Sequence, residues 1–289
     1  MSATLGFIGV GVMGTGMCRN LALKSGSRVY ASDLNPENVK AVEPAGAVAS
    51  SIKEISERCS VVFLSLPSID QVEQVCIGEG GLASHAGAVK TIVDMSTSDV
   101  GRTRALAQRL QEAGITLVDA PVARSREAAN NGTLLITVGA SEPVFKELEP
   151  YLKCMGSDVL LCGDTGCGQV VKIMNNKVLL NTVHALAEAF SIAEKSGVAK
   201  DLLSHALSLG SADSFALKLT GANYLAKDDF PEKMFPTQYA LKDLKLAITL
   251  ADHVGGPKSL SQSTADALSL AVSQGYGQNY YPVIYRIVT

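Results

Sequence analysis

Three polar side chains, Lys172, Asn175 and Asn176, stand in an otherwise apolar run that includes Val170, Val171, Ile173, Met174, Val178 and Leu179. Spaced i, i+3 and i+4, they share one face of a helix. An ammonium among apolar neighbours is costly unless it has partners or a use. The chemistry open to such a trio is proton transfer, with the lysine as general acid or base and the amides orienting it and a polar substrate. A lysine starts near pKa of about 10.4. Burial or nearby cations lower it towards the operating pH that acid–base catalysis needs. Arg124 and Lys242 are the candidate cations. The plain alternative is a helix lysine that snorkels to water. The paired amides weigh against it, as does the glycine-rich approach Gly163-Asp164-Thr165-Gly166-Cys167-Gly168.

A second chemical element lies at the N-terminus. Leu5-Gly6-Phe7-Ile8 reads as a buried strand and runs into Gly9-Val10-Gly11-Val12-Met13-Gly14, a G-x-G-x-x-G pattern that opens a helix. A second strand, Arg28–Ser32, ends at Asp33, 19 positions after Gly14. Strand, glycines, helix and a late carboxylate together form the context of a dinucleotide-binding fingerprint. The first two glycines permit a tight turn and close approach of a pyrophosphate, and the third lets helix pack on strand. The helix N-terminus offers free N–H groups and a positive partial charge. Asp33 would accept hydrogen bonds from both adenosine ribose hydroxyls and repel a 2′-phosphate. No arginine follows it, only Leu34-Asn35-Pro36. The cofactor predicted is therefore NAD (NADH) rather than NADP.

These groups need elements to position them. Strand patterns recur at 47–49, 61–66, 91–94, 115–120, 134–138 and 159–161, with helical ones near 36–44, 51–58, 69–76, 99–113 and 142–152. That alternation predicts a doubly wound parallel sheet, whose ligands lie beyond the C-terminal strand ends. Leu66-Pro67, Ser96-Thr97 and Asp119–Ser125 follow such ends and could border the nicotinamide. From Gln169 to Lys195 no glycine or proline intervenes, which predicts a helix of roughly 27 residues, about 40 Å long. It should be buried all round in its first half and join two domains, with Lys172 facing the cleft between them. Beyond Gly197 only helical spacing is found, apart from a loop at 223–238 that could reach over the cleft. The predicted fold is an α/β Rossmann-type doubly wound sheet plus an all-α C-terminal domain. The predicted parts are 1–163 for NAD binding, 164–197 as interdomain helix, and 198–289 for substrate and oligomerisation.

Composition narrows the class. The 289 residues are 47% hydrophobic and 18% charged, with a net charge of −3, which speaks against nucleic-acid or membrane-surface partners. No apolar run reaches transmembrane length, and Met1-Ser2-Ala3-Thr4 lacks the basic start of a signal peptide. A cytoplasmic location is expected. Six cysteines show no metal-ligand spacing, and no metal is predicted. A disulfide between Cys162 and Cys167 is conceivable, but free thiols are the expected state. The four histidines, 85, 184, 205 and 253, read as structural or surface residues. The long apolar helix offers more surface than one small helical domain can cover, so a homodimer or homotetramer is expected.

Taken together, the motifs resemble those of the β-hydroxyacid dehydrogenase family, of which 3-hydroxyisobutyrate dehydrogenase is the best-known member. The resemblance runs through Gly6–Gly14, Asp94-Met95-Ser96-Thr97, Asp119-Ala120-Pro121-Val122 with Gly132-Thr133-Leu134, Gly166-Cys167-Gly168 with Lys172, Asn175 and Asn176, and Lys242-Asp243-Leu244. It implies a catalytic Lys172, substrate contacts from Asn175 or Asn176, and cofactor contacts from Gly9, Gly11, Val12, Met13, Gly14, Asp33, Leu34, Leu66, Pro67, Thr97 and Lys242. One departure stands out. Where the family most often has Ser-Gly-Gly, this chain has Ala123-Arg124-Ser125. That sequence is similar to the branch containing sulfolactaldehyde reductase, also described as a succinic semialdehyde reductase. It implies that Ala123, Arg124 and Ser125 bind substrate, with the guanidinium and hydroxyl holding a far anion. Leu179, where a hydroxyl could assist, weakens the sulfonate version. The implied activity is NADH-dependent reduction of a small anionic semialdehyde. The alternatives are another β-hydroxyacid dehydrogenase, an imine reductase, from which Lys172 argues away, and a non-catalytic dinucleotide-binding module.

Overall fold

The computed structural model describes residues 3–84, 87–232 and 234–289. His85 lies outside the described residues. The chain divides into two compact units, Met1–Lys172 and Ile173–Thr289.

Among its described residues the first unit is built on nine strands: β1 (Leu5–Ile8), β2 (Val29–Ser32), β3 (Val48–Ala49), β4 (Val61–Leu64), β5 (Thr91–Asp94), β6 (Thr116–Asp119), β7 (Val122–Ala123), β8 (Leu134–Gly139) and β9 (Gly156–Gly163). Between them run helices α1 (Gly14–Lys24), α2 (Pro36–Lys40), α3 (Ile52–Arg58), α4 (Ile69–Ile77), α5 (Val100–Glu112), α6 (Arg126–Asn131) and α7 (Glu142–Met155). The sheet order is β3-β2-β1-β4-β5-β6-β8-β7, with β9 on β8. Strands β1 to β6 are mutually parallel.

Alternation along the strands gives each face a core, as a sheet covered on both sides requires. Leu5, Phe7, Phe63, Val93 and Val118 join Met17 and Leu21 of α1 and Leu148 and Leu152 of α7. Ile8, Val62, Leu64, Ile92 and Leu117 turn the other way, to Ile55, Val72, Leu106 and Leu110 of α3, α4 and α5.

The expected doubly wound parallel sheet is found, with an antiparallel departure at its far edge. β8 runs antiparallel to β6 and β7 and parallel to β9. The connection from β6 to β8 holds only the two-residue β7 and the six-residue α6. That helix spans only ~9 Å, too little to carry the chain back along the sheet for a parallel return. Helix α6 itself had a legible signature. Ser125 accepts from Ala128 N–H at its start, and Gly132 ends it in the left-handed conformation at φ 69°.

Helix α8 (Cys167–Lys195) has 29 residues, starting two earlier than expected. Burial on all sides of its first half is not found: Val171 and Val178 are exposed. The second unit continues with α9 (Lys200–Leu209), a wide π-type helix at Leu217–Leu225, α10 (Thr237–Val254) and α11 (Ser259–Ala271). No strand longer than an isolated bridge occurs among its described residues. The expected loop at 223–238 is thus helical to Leu225. Its later part is pinned by bridges from Glu232 to Asn279 and from Pro236 to Tyr280. Lys242 lies in the second turn of α10. His184 is structural, its Nδ1 being 2.9 Å from Thr264 Oγ1, and burial lowers its pKa. The six cysteines are free thiols, and no helix among the described residues is long and apolar enough to cross a membrane.

Candidate active site

Two of the three glycines in the N-terminal fingerprint are required by the chain's own packing. Gly9 has φ +91°, and a Cβ there would lie 2.3 Å from the Ser65 carbonyl oxygen. A Cβ on Gly14 would lie 1.9 Å from the Gly9 carbonyl oxygen. Gly11 is different, since nothing lies within 4 Å of where its Cβ would be. The space over Gly11 is therefore what a pyrophosphate needs for close approach to the backbone. At the start of α1, Met13 provides no side-chain cap and the first turn carries no acidic residue. These N–H groups suit an anion. Val12 is exposed beside them.

Asp33 closes the loop from the neighbouring strand end. Its Oδ2 accepts from Val10 N–H at 2.8 Å, and its Oδ1 from Asn35 N–H at 2.8 Å and Asn38 Nδ2 at 3.1 Å. A carboxylate has about four acceptor positions. Three are filled by the chain, so one ribose hydroxyl fits directly and a second must displace the long Asn38 bond. Leu34 is wholly exposed next to it, an apolar surface open to a base. Glycine cradle, helix terminus and carboxylate together fit a dinucleotide.

The other strand ends converge on the first turn of α8. Leu66 N–H donates to Ser96 Oγ at 2.9 Å, linking the turn after β4 to the one after β5; Pro67 follows on the exposed side. Asp94, at the end of β5, accepts from Ser96 N–H and from Ser98 Oγ, both at 2.9 Å. Between those serines stands Thr97, half-buried where they are buried. Asp119, paired with Asp94 in register, reaches over from β6. Its carboxylate accepts from Gly166 N–H at 2.6 Å and Gln169 N–H at 2.8 Å, capping α8 from outside the helix. Glycine at 139 and 168 makes the room: a Cβ at either would lie 2.2 Å or 2.9 Å from an Asp119 oxygen. Thr137 Oγ1 donates to the Gly168 carbonyl at 3.0 Å. The segment leading to Lys172 is thus fixed to β5, β6 and β8.

Burial pushes the Asp119 carboxyl upward against its N–H bonds, and pushes Asp94 up from 3.8 to about 6 against the serines that hold its charged form. A carboxyl whose folded pKa is raised stabilises the fold fully below about pH 3.8, and that stability is lost as pH rises through about 6. The displacement corresponds to roughly 3 kcal/mol. Asp94→Asn keeps an acceptor for Ser96 N–H and gains a donor towards Ser98. It is expected to raise Tm near pH of about 7, with the gain shrinking as pH falls towards about 4. Thermal unfolding of both proteins across that range checks the sign.

In the second unit, Asn175 Nδ2 donates to Asn176 Oδ1 at 3.1 Å, and Asn176 Nδ2 donates to Asp243 Oδ2 at 2.7 Å. Lys242 Nζ lies 3.3 Å from Asp243 Oδ1. Asp243 therefore joins the expected residues of α8 and α10, and Asn176 is buried while Asn175 is exposed. Lys172, the last residue of the first unit, is half-buried one turn ahead of them on the same helix.

The Arg124 and Ser125 side chains, expected to bind substrate, have partners within the chain. Arg124 sits at φ +86°, the left-handed region, where a residue with a Cβ pays roughly 1–2 kcal/mol. Its guanidinium turns to β9 and the turn before β8. It donates to the Thr133 carbonyl at 2.6 Å, Ser157 Oγ at 2.8 Å and Asp158 Oδ2 at 2.7 Å. Those bonds offset the backbone strain. Ser157 and Arg124 together hold the Asp158 carboxyl below the usual range. Ser125 Oγ caps α6, and Ala123 is buried in β7. The arginine thus ties the loop to β9, and the serine caps the helix that follows it. Sequence reasoning also passed over Asp119 and Gln169 as holders of α8. Their partners are 47 to 73 positions distant, and only the recurrence of glycines at 166 and 168 hinted at a crowded helix start.

The fold and this site define a dinucleotide-binding oxidoreductase. Residues 4–163 match the family model described as the NAD binding domain of 6-phosphogluconate dehydrogenase. Residues 166–287 match that described as NAD-binding of NADP-dependent 3-hydroxyisobutyrate dehydrogenase. The chain is 35% identical to 2-(hydroxymethyl)glutarate dehydrogenase of Eubacterium barkeri, over 99% of this chain and 95% of that one. It is 32% identical to 2-hydroxy-3-oxopropionate reductase of Escherichia coli, over 86% and 84%. A solved structure of Mycobacterium tuberculosis 3-hydroxyisobutyrate dehydrogenase with L-serine superposes with a TM-score of 0.88 at 27% identity, covering 99% of each chain. The chain belongs to the β-hydroxyacid dehydrogenase family. It is an NAD(H)-using dehydrogenase acting on hydroxyl and aldehyde groups.

Proposed function

We propose that the protein interconverts a small anionic hydroxy acid and its semialdehyde, with Lys172 as general acid in reduction and general base in oxidation. The observation that carries this is the anchoring of the α8 start, at Gly166 and Gln169, to the β5 and β6 ends, one turn before Lys172. When bound, NADH supplies the hydride. Lys172 would hold the proton for the carbonyl oxygen, and Asn175 and Asn176, braced by Asp243 and Lys242, would orient substrate. Succinic semialdehyde and sulfolactaldehyde remain the substrate types in view. The carboxylate is preferred, because the Arg124 fork is taken up by Asp158 and Leu179 offers no hydroxyl. The near relative acting on 2-(hydroxymethyl)glutarate, a dicarboxylate, supports the same preference.

NADH oxidation with sulfolactaldehyde, succinic, methylmalonate and tartronate semialdehydes, by wild type and Arg124→Gly, tests the reading. Carboxylate substrates should lead, and Arg124→Gly should change kcat/KM by no more than about ten-fold, since it removes strain along with the bonds. Preference for the sulfonate, abolished in Arg124→Gly, would reverse the assignment.

We also infer that copies pair along α8. Val178 and Ile192 are exposed by 65% and 66% and lie 14 residues apart, about four turns, on one face. Parts 1–163, 164–197 and 198–289 serve in this reading for cofactor binding, for carrying the lysine, and for substrate shape and assembly. Free cysteines throughout fit a cytoplasmic location.

A further inference from the structure

Gln169 is wholly buried, and a buried amide is costly unless both its ends are paired. Here both are, and to a particular place. Its Oε1 accepts from Ser98 N–H at 3.0 Å, and its Nε2 donates to the Ser96 carbonyl at 2.8 Å. The side chain therefore clasps the backbone on either side of Thr97. Its own N–H is held by Asp119 at 2.8 Å. One carboxamide joins the loop after β5 to the first turn of α8. Lys172 is three residues further on, hence on the same face, with Cβ atoms about 5–6 Å apart.

We propose that Gln169 is a positioning residue for the reaction, setting the register between the Thr97 loop and the Lys172 ammonium. The inference rests on Lys172 being the proton donor. A general acid works only within about 2.6–3.2 Å of its target, and a misplacement of about 1 Å costs on the order of 10²-fold in rate. The loop at Thr97 and the helix at Lys172 come from strands and helices 71 to 73 positions apart in sequence, as the two bonds of Gln169 record. Asp119 and Thr137 tie the start of α8 to β6 and β8. The clasp adds the direct tie to the Thr97 loop. Asp94 holds the same two serines, so the loop is bonded to both a carboxylate and the amide.

The test compares Gln169→Met, Gln169→Glu and Lys172→Ala in the full chain. Met matches the shape of Gln and makes neither bond; Glu keeps the acceptor for Ser98 N–H and loses the donor. For Gln169→Met, kcat should fall about 10²-fold with KM for NADH within about three-fold, and the primary isotope effect with 4-deuterated NADH should rise. Gln169→Glu should fall less, by about ten-fold; it carries the test alone if the Met variant does not fold. Wild-type kcat and isotope effect in a folded Gln169→Met or Gln169→Glu would overturn the proposal, as would a drop in Tm or a higher KM for NADH with kcat intact. Lys172→Ala separates the two ideas. Loss of turnover there beside intact Gln169 variants defeats the clasp alone, whereas turnover retained in Lys172→Ala defeats the reading of the lysine beneath it.

Discussion

Lys172→Ala is expected to lower kcat by about 10²–10⁴-fold, the range that a positioned general acid contributes, while the Kd for NADH stays within about two-fold. The two halves of that statement come from different parts of the chain. In the proposed reading, cofactor affinity rests on the loop shaped by Gly9 and Gly14 and on the Asp33 bond to Val10. Proton supply in that reading rests on α8, whose start is pinned by Asp119 and Gln169. Alanine is the best helix former, and Lys172 is only half-buried, so the fold should survive. Lys172→Arg should not rescue turnover. A guanidinium keeps the charge but gives up its proton only above pH of about 12. Steady-state kinetics with NADH titration by fluorescence checks both halves.

Gly11→Val is expected to weaken NADH by about 10²–10⁴-fold without unfolding the protein. Nothing lies within 4 Å of its Cβ position, and its φ is not in the left-handed region, so the chain tolerates a side chain. The added methyls would fill the space over the N–H groups of the loop. Losing two charge-assisted bonds there, each about 1.5–3 kcal/mol, accounts for the size of the effect. Gly14→Ala makes the contrast, since its Cβ would lie 1.9 Å from the Gly9 carbonyl and the backbone must move. That variant should lose Tm, where Gly11→Val should not. A Gly11→Val protein that binds NADH normally would remove the pyrophosphate from this loop. Calorimetry and thermal unfolding of the pair decide it.

How much of this was legible in the sequence depended on the range of the interactions. The fingerprint was readable because its parts lie close together between Leu5 and Asp33: β1, the glycines, α1 and the late carboxylate. The long helix was readable because nothing in Gln169–Lys195 breaks it. Arg124 was not. Its guanidinium partners Ser157 and Asp158 lie 33 and 34 positions on, in a strand that pairs with β8 rather than with the loop itself. A permanently charged fork beside a substrate motif reads as an anion binder, and only the fold reveals the competing carboxylate. The antiparallel β8 was missed because α6 is so short. Apolar Val171 and Val178 read as core, since hydrophobicity alone does not tell a buried helix face from an exposed one. The grip of Asp119 and Gln169 on α8 is a long-range polar arrangement, and such pairings leave no periodicity to find.

The central claim is that Lys172 delivers the proton that accompanies hydride transfer. Single-turnover stopped flow at 340 nm addresses it most directly: NADH is bound beforehand to wild type or Lys172→Ala and mixed with saturating semialdehyde. The account predicts rapid loss of the NADH signal in wild type and loss slowed by about 10²-fold or more in the variant, from equally loaded enzyme. Equal rates from the two proteins would contradict it.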